Sequence, residues 1–107
     1  LNETSEDVLI AFRRAREQAA WQKNDSSFGI RFFPGSYVLF QGPSYDSRVA
    51  AEDEVTTFSS LISTSGISEV VFAKHSGVPS PSGVLAISSS GDTREIDVGF
   101  EGKIERR

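Results

Sequence analysis

His75 is the single histidine of the chain, and Ser76 stands beside it. A serine nucleophile needs a base within hydrogen-bond reach and a carboxylate to hold that base, and Asp46 and Asp92 are the acids one would enlist. Nothing in the spacing selects them, and the G-x-S-x-G turn that presents a nucleophilic serine is absent. In "HSGVPSPSG" the histidine reads as a solvated loop residue, so no catalytic residue is assigned. There is no cysteine, which removes disulfides and thiolate metal sites together. Glu52, Asp53 and Glu54 could share a calcium ion with loop carbonyls, but a dedicated calcium loop spaces its acids apart before a glycine. The three in a row read as a solvated cluster. Glycines stand singly at turns, so no phosphate cradle forms, and neither a metal nor a cofactor is expected. Asn2-Glu3-Thr4 and Asn24-Asp25-Ser26 match the glycosylation tripeptide, a pattern common by chance.

The basic residues group in two places: Lys103, Arg106 and Arg107 at the C-terminal edge, and Arg13, Arg14 and Arg16 on the opening helix. Such groups can contact phosphates, each releasing about one counterion. They can equally be a solubilising strand end that discourages edge-to-edge pairing. A formal net charge of −4 and a sequence pI near 4.9 favour the second reading. DNA binding through Lys103, Arg106 and Arg107 stays as an alternative.

The elements that position these residues follow from periodicity. From Ser5 to about residue 23 the chain is free of Gly and Pro and rich in Ala, Arg, Glu and Gln, which predicts a helix. Thr4 or Ser5 can cap it, Glu6 and Asp7 suit its positive end, and Asn24 and Asp25 can terminate it. At 100° per residue, Val8, Ala11, Phe12, Ala15 and Ala19 fall in one stripe for packing on a sheet. Ile10 and Trp21 lie together nearly opposite, and Leu9 with Ala20 makes a third patch. Single exposed apolar residues are ordinary; a second face for another chain is the sharper alternative.

After Asn24 the period becomes 2. Phe28, Ile30 and Phe32 share one face of a strand, with Gly29 and Arg31 on the other. "SYVLFQ" is apolar on both sides and should be covered on both. Pro34-Gly35 between them suits a type II turn, and a somewhat widened or bulged connection is expected. Residues 42–54 read as loop, and "VTTFSSLIS" as one strand in preference to a helix. "ISEVVFAK" is a short strand with Val70 and Phe72 inward, or Val71 and Ala73 if the register slips, and 75–83 is loop. "VLAIS", "TREIDVGF" and "EGKIERR" form a closing strand series. Arg94, Ile96, Val98 and Phe100 share a face there, Thr93, Glu95 and Asp97 point to water, and Glu101-Gly102 turns Ile104 back alongside. The fold class is α+β, a long N-terminal helix packed on antiparallel sheet. The 107 residues form one domain, with strands from about 28 to 105, and no apolar run reaches the ~20 residues that span a bilayer.

"LIAFRRAREQAAWQKNDSSFGIRFFPGSYVLFQG" resembles the stretch after the membrane anchor in minor pseudopilins and minor type IV pilins of the GspH/FimT type. Ala15-Arg16-Glu17-Gln18-Ala19 occupies the place of their "aRseA"-like helical run, and "GDTREIDVGFEGKI" is similar to their closing strands. The resemblance implies a pilin-like head whose helix is shared between the sheet and neighbouring subunits. Leu9, Ile10 and Trp21 are then subunit-contact candidates, and Val8, Phe12, Ala15 and Ala19 the helix–sheet core. It further implies a non-enzymatic structural subunit of a type II secretion or type IV pilus filament. Its partners would be other pilin-like subunits and an assembly platform driven by a separate ATPase. The head would lie in the periplasm or on the cell surface, held to the inner membrane by an apolar helix preceding Leu1. An extracellular binding module of unrelated α+β fold is the rival from another class.

Overall fold

The computed structural model describes residues 2–21, 26–100 and 102–106. Its opening element, α1, runs Asn2–Ala20 with Glu3 as the acidic residue of its first turn, so the helix begins three residues earlier than the sequence reading placed it. Ser5, expected as a cap, is instead buried inside the helix; Thr4 is helical too. At the other end the Trp21 N–H bonds the Glu17 carbonyl at 2.9 Å, and the His75 N–H reaches the Ala19 carbonyl at 3.1 Å. A loop backbone thereby satisfies one of the acceptors that a helix terminus leaves open. Asn24 and Asp25, expected as terminators, lie outside the described residues.

Among the described residues nine strands follow: β1 Phe28–Phe33, β2 Ser36–Gln41, β3 Glu54–Thr57, β4 Ser63–Gly66, β5 Glu69–Phe72, β6 Pro79–Ser80, β7 Gly83–Ser89, β8 Asp92–Val98 and β9 Ile104–Arg106. They build two sheets, ordered β3-β2-β1-β5-β6 and β4-β7-β8-β9, with every neighbouring pair antiparallel. The segment read as one strand, "VTTFSSLIS", is divided between them. β3 ends where the Phe58 N–H bonds the Gly35 carbonyl, and a turn closed from the Ile62 N–H to the Ser59 carbonyl hands the chain over to β4. The run Val55-Thr56-Thr57 favours strand before the break, and across it Phe58 and Ile62 turn toward the core while Ser59 and Ser60 stay exposed. β6 likewise falls within a stretch read wholly as loop.

The β1–β2 connection is tighter than expected. Phe33 pairs directly with Ser36, and Gly35 has φ +80°, the value a type II turn needs after proline. The Phe58 bond to the Gly35 carbonyl holds this turn from outside, and no bulge is required.

One apolar core lies under α1. Phe12 is fully buried, with the Phe32 and Phe72 rings 5.8 and 6.5 Å away. Around it gather Val8, Ala15 and Ala19 from the helix, Ile30 and Val70 from one sheet, and Leu85, Ile87, Ile96, Val98 and Ile104 from the other. The helix therefore bridges both sheets. Of the two registers open for β5, Val70 and Phe72 are the inward pair. β2 is covered on its second side by the 42–53 loop, where Phe40 packs edge-on to Tyr45 at 5.8 Å and Arg48 lies 3.9 Å above the Tyr45 ring. Gly29 is dictated by this arrangement, because a Cβ there would come within 2.5 Å of both Phe40 Cζ and the Val70 carbonyl oxygen.

Candidate subunit-contact surface

α1 divides into three flanks. The buried flank carries Ser5, Val8, Leu9, Phe12, Ala15 and Ala19, an arc of roughly 120° at 100° per residue. Leu9, proposed from the sequence as an outward contact residue, is only 4% exposed and belongs to the core. The correction has a geometric cause: with two sheets beneath it, the helix buries a broader arc than one sheet would cover. On the same flank as Leu9, Arg13 donates to the Ile104 carbonyl at 3.3 Å and Glu6 pairs with Arg106, so this side leans on β9.

The opposite flank carries Ile10, 58% exposed, and Trp21, 85% exposed. Eleven residues separate them, which is about 20° around the axis and about 16 Å along it. Tryptophan is highly buried on average in folded domains, so an outward indole in line with an outward isoleucine is more unusual than a stray surface leucine.

The third flank faces β2 and β3 across a groove of about 240 Å³ lined by Asp7, Ile10, Ala11, Arg14, Tyr37, Leu39, Glu54 and Thr56. Arg14 spans it to Glu54 at 2.6 Å. At its floor, burial pushes the Tyr37 phenol above its ordinary value of 10.0, and the charge of Asp7 adds to that while a hydrogen bond with Thr56 opposes it. The phenol stays neutral here over the physiological range.

The remaining candidate residues are occupied elsewhere. Lys103 pairs with Glu105 at 3.0 Å and Arg106 with Glu6, while Arg107 lies outside the described residues. Arg16 donates to the Gly102 carbonyl at 2.9 Å. The basic residues are thus interleaved with acids and carbonyls rather than gathered into a free positive face. Of the three neighbouring acids, Asp53 holds Arg48 at 2.9 Å and Glu54 holds Arg14. Asp53 is also the main reason the Arg48 guanidinium binds its proton more tightly than usual. Among the described residues no three His, Cys, Asp or Glu side chains gather to hold a metal ion. His75 is exposed, and the Ser76 hydroxyl accepts from the Val78 N–H at 3.2 Å.

Besides Ile10 and Trp21, five large apolar residues among those described are exposed without having been foreseen from the sequence: Val49, Val55, Leu61, Val78 and Phe100. Phe100 was expected on the face of Ile96 and Val98; instead β8 stops at Val98 and Phe100 is 74% exposed. The available signal was Gly99: its N–H bonds the Lys103 carbonyl at 2.8 Å and its own carbonyl accepts from Gly102, so alternation ends there. Arg94, placed on the same face, is also exposed.

No protein-family model matches the chain, and no curated protein matches it in sequence. In structure it is similar to the minor pseudopilin EpsH from the type 2 secretion system of Vibrio cholerae. The match has a TM-score of 0.75 at 12% sequence identity and covers 99% of this chain and 94% of that one. The fold is pseudopilin-like: one N-terminal helix packed on antiparallel sheets, α+β, at variance with the rival of an unrelated α+β module.

Proposed function

We propose that the chain is the head of a minor pseudopilin, a structural subunit that works by packing against other pseudopilin subunits in a type II secretion or type IV pilus filament. The observation that carries this reading is the outward line of Ile10 and Trp21 on a helix whose other side is committed to the core. The pseudopilin-like fold supports it. A buried aliphatic or aromatic anchor contributes about 1.5–3 kcal/mol, so two per subunit, repeated along a fibre, add up to a substantial driving force. In this reading the head lies in the periplasm or on the cell surface, an assembly platform receives it, and an apolar extension of the helix holds it to the inner membrane. No described helix is itself long and apolar enough to cross a membrane. The subunit carries out no catalysis.

The test is made in the full-length protein. Ile10→Ser with Trp21→Ser should abolish co-assembly with the other subunits, while the isolated head keeps its melting temperature within a few degrees. In the isolated 107-residue head, which has no cysteine, Ile10→Cys and Trp21→Cys each offer one defined cross-linking point. Normal assembly by the double serine variant would refute the proposal.

A further inference from the structure

Unpaired strand edges have to be managed, and the two sheets together present four. β9 is covered by α1, whose Arg13 occupies the Ile104 carbonyl. β6 is the short Pro79–Ser80 strand followed by Pro81, and proline supplies no N–H to a newcomer. β3 starts with Glu54, engaged by Arg14. β4, "STSG", has neither a charge nor a proline. Its register leaves donors and acceptors available. Ser63 pairs with Ser88 and Ser65 with Ala86, and the Ile67 N–H bonds the Val84 carbonyl in the same phase. In an antiparallel ladder alternate residues bond the partner, so the N–H and C=O of Thr64 and Gly66 point away from β7.

They point toward a cleft of about 520 Å³, within the size range of ligand sites. Its walls are the Phe33–Gly35 turn and β4 with the following residues, with Phe58, Ile62 and Ile67 supplying apolar surface and serines the rim. No lining residue is ionisable, in a chain with 24% charged residues. A charge buried there would lack a counter-charge, which is costly.

We propose that this cleft receives an extended, uncharged segment of another polypeptide, which adds to the β4 edge as a further strand. Backbone bonds to Thr64 and Gly66 give affinity, and alternate apolar side chains of the segment fill the cleft beside Phe58 and Ile62. A second copy of this chain is a poor occupant, since pairing one four-residue edge with another buries far less than the ~1,200 Å² of a stable interface. The site is separate from the Ile10–Trp21 line and does not depend on its role.

Isotope-labelled protein is titrated with a capped eight-residue peptide of alternating valine and serine, and with a counterpart carrying two lysines at its centre. Expected are amide shifts concentrated at 62–68 and slowed hydrogen exchange at Thr64 and Gly66 with the neutral peptide alone. Thr64→Pro, which removes an outward N–H and spares the β4–β7 bonds, should weaken binding about fivefold, the loss of one hydrogen bond. Should that variant fail to fold, Ser65→Lys, which brings a charge to the cleft, should weaken binding at least as much. The Ile10→Ser, Trp21→Ser double variant should bind normally. Absent shifts at millimolar peptide, equal binding of the lysine peptide, undiminished binding by the folded variant, or concentration-dependent self-pairing through β4 would each overturn the proposal.

Discussion

Phe12 concentrates the helix–sheet packing in one side chain. It is fully buried between Phe32 and Phe72, so Phe12→Ala should cost about 3–5 kcal/mol, read as a large drop in the denaturation midpoint. Tyr37 makes a pH-dependent prediction. Its folded pKa is raised by burial, so its contribution is fully present below the unfolded value of about 10. That contribution is lost as pH climbs through 10 toward the folded value, because the unfolded chain releases the proton first. Melts between pH 8 and 11 should show an alkaline loss of stability that Tyr37→Phe reduces. Gly29→Val should destabilise by more than the roughly 1 kcal/mol typical of point changes, since its Cβ has no space beside Phe40 and the Val70 carbonyl.

Among the elements, the existence of α1, β1, β2 and β8 was legible from long periodicity, and β1 and the centre of β8 showed their inward residues by spacing, Phe28, Ile30 and Phe32 in the one and Ile96 and Val98 in the other. What could not be read was set by tertiary contact. Leu9 turns inward because a second sheet lies under the helix, and helix periodicity cannot count sheets. Division of 54–66 between two sheets depends on Phe58 bonding the Gly35 carbonyl, a partner 23 residues away. Of the candidate site, Ile10 and Trp21 were visible as apolar residues off the core stripe, whereas the β4 cleft was not, because serines signal nothing until an edge is seen to be open. Arg16 joins the helix end to the closing turn through the Gly102 carbonyl and lies against Gly77. Arg16→Ala should therefore cost about 1–2 kcal/mol, a shift in midpoint with no change in secondary structure.

At the scale of the whole molecule, extents of 41 × 28 × 19 Å describe a body lengthened along one direction, with net negative charge and basic residues distributed among acids. Retardation of DNA in a low-salt gel should be absent, and clear retardation that vanishes with added salt would restore the nucleic-acid alternative. One further consequence comes from the helix lying across both sheets. A force drawn along the rod cannot detach strands in succession as a zip opens; it must slide the whole buried flank past two supports at once. Load along the axis is thus borne by both sheets together.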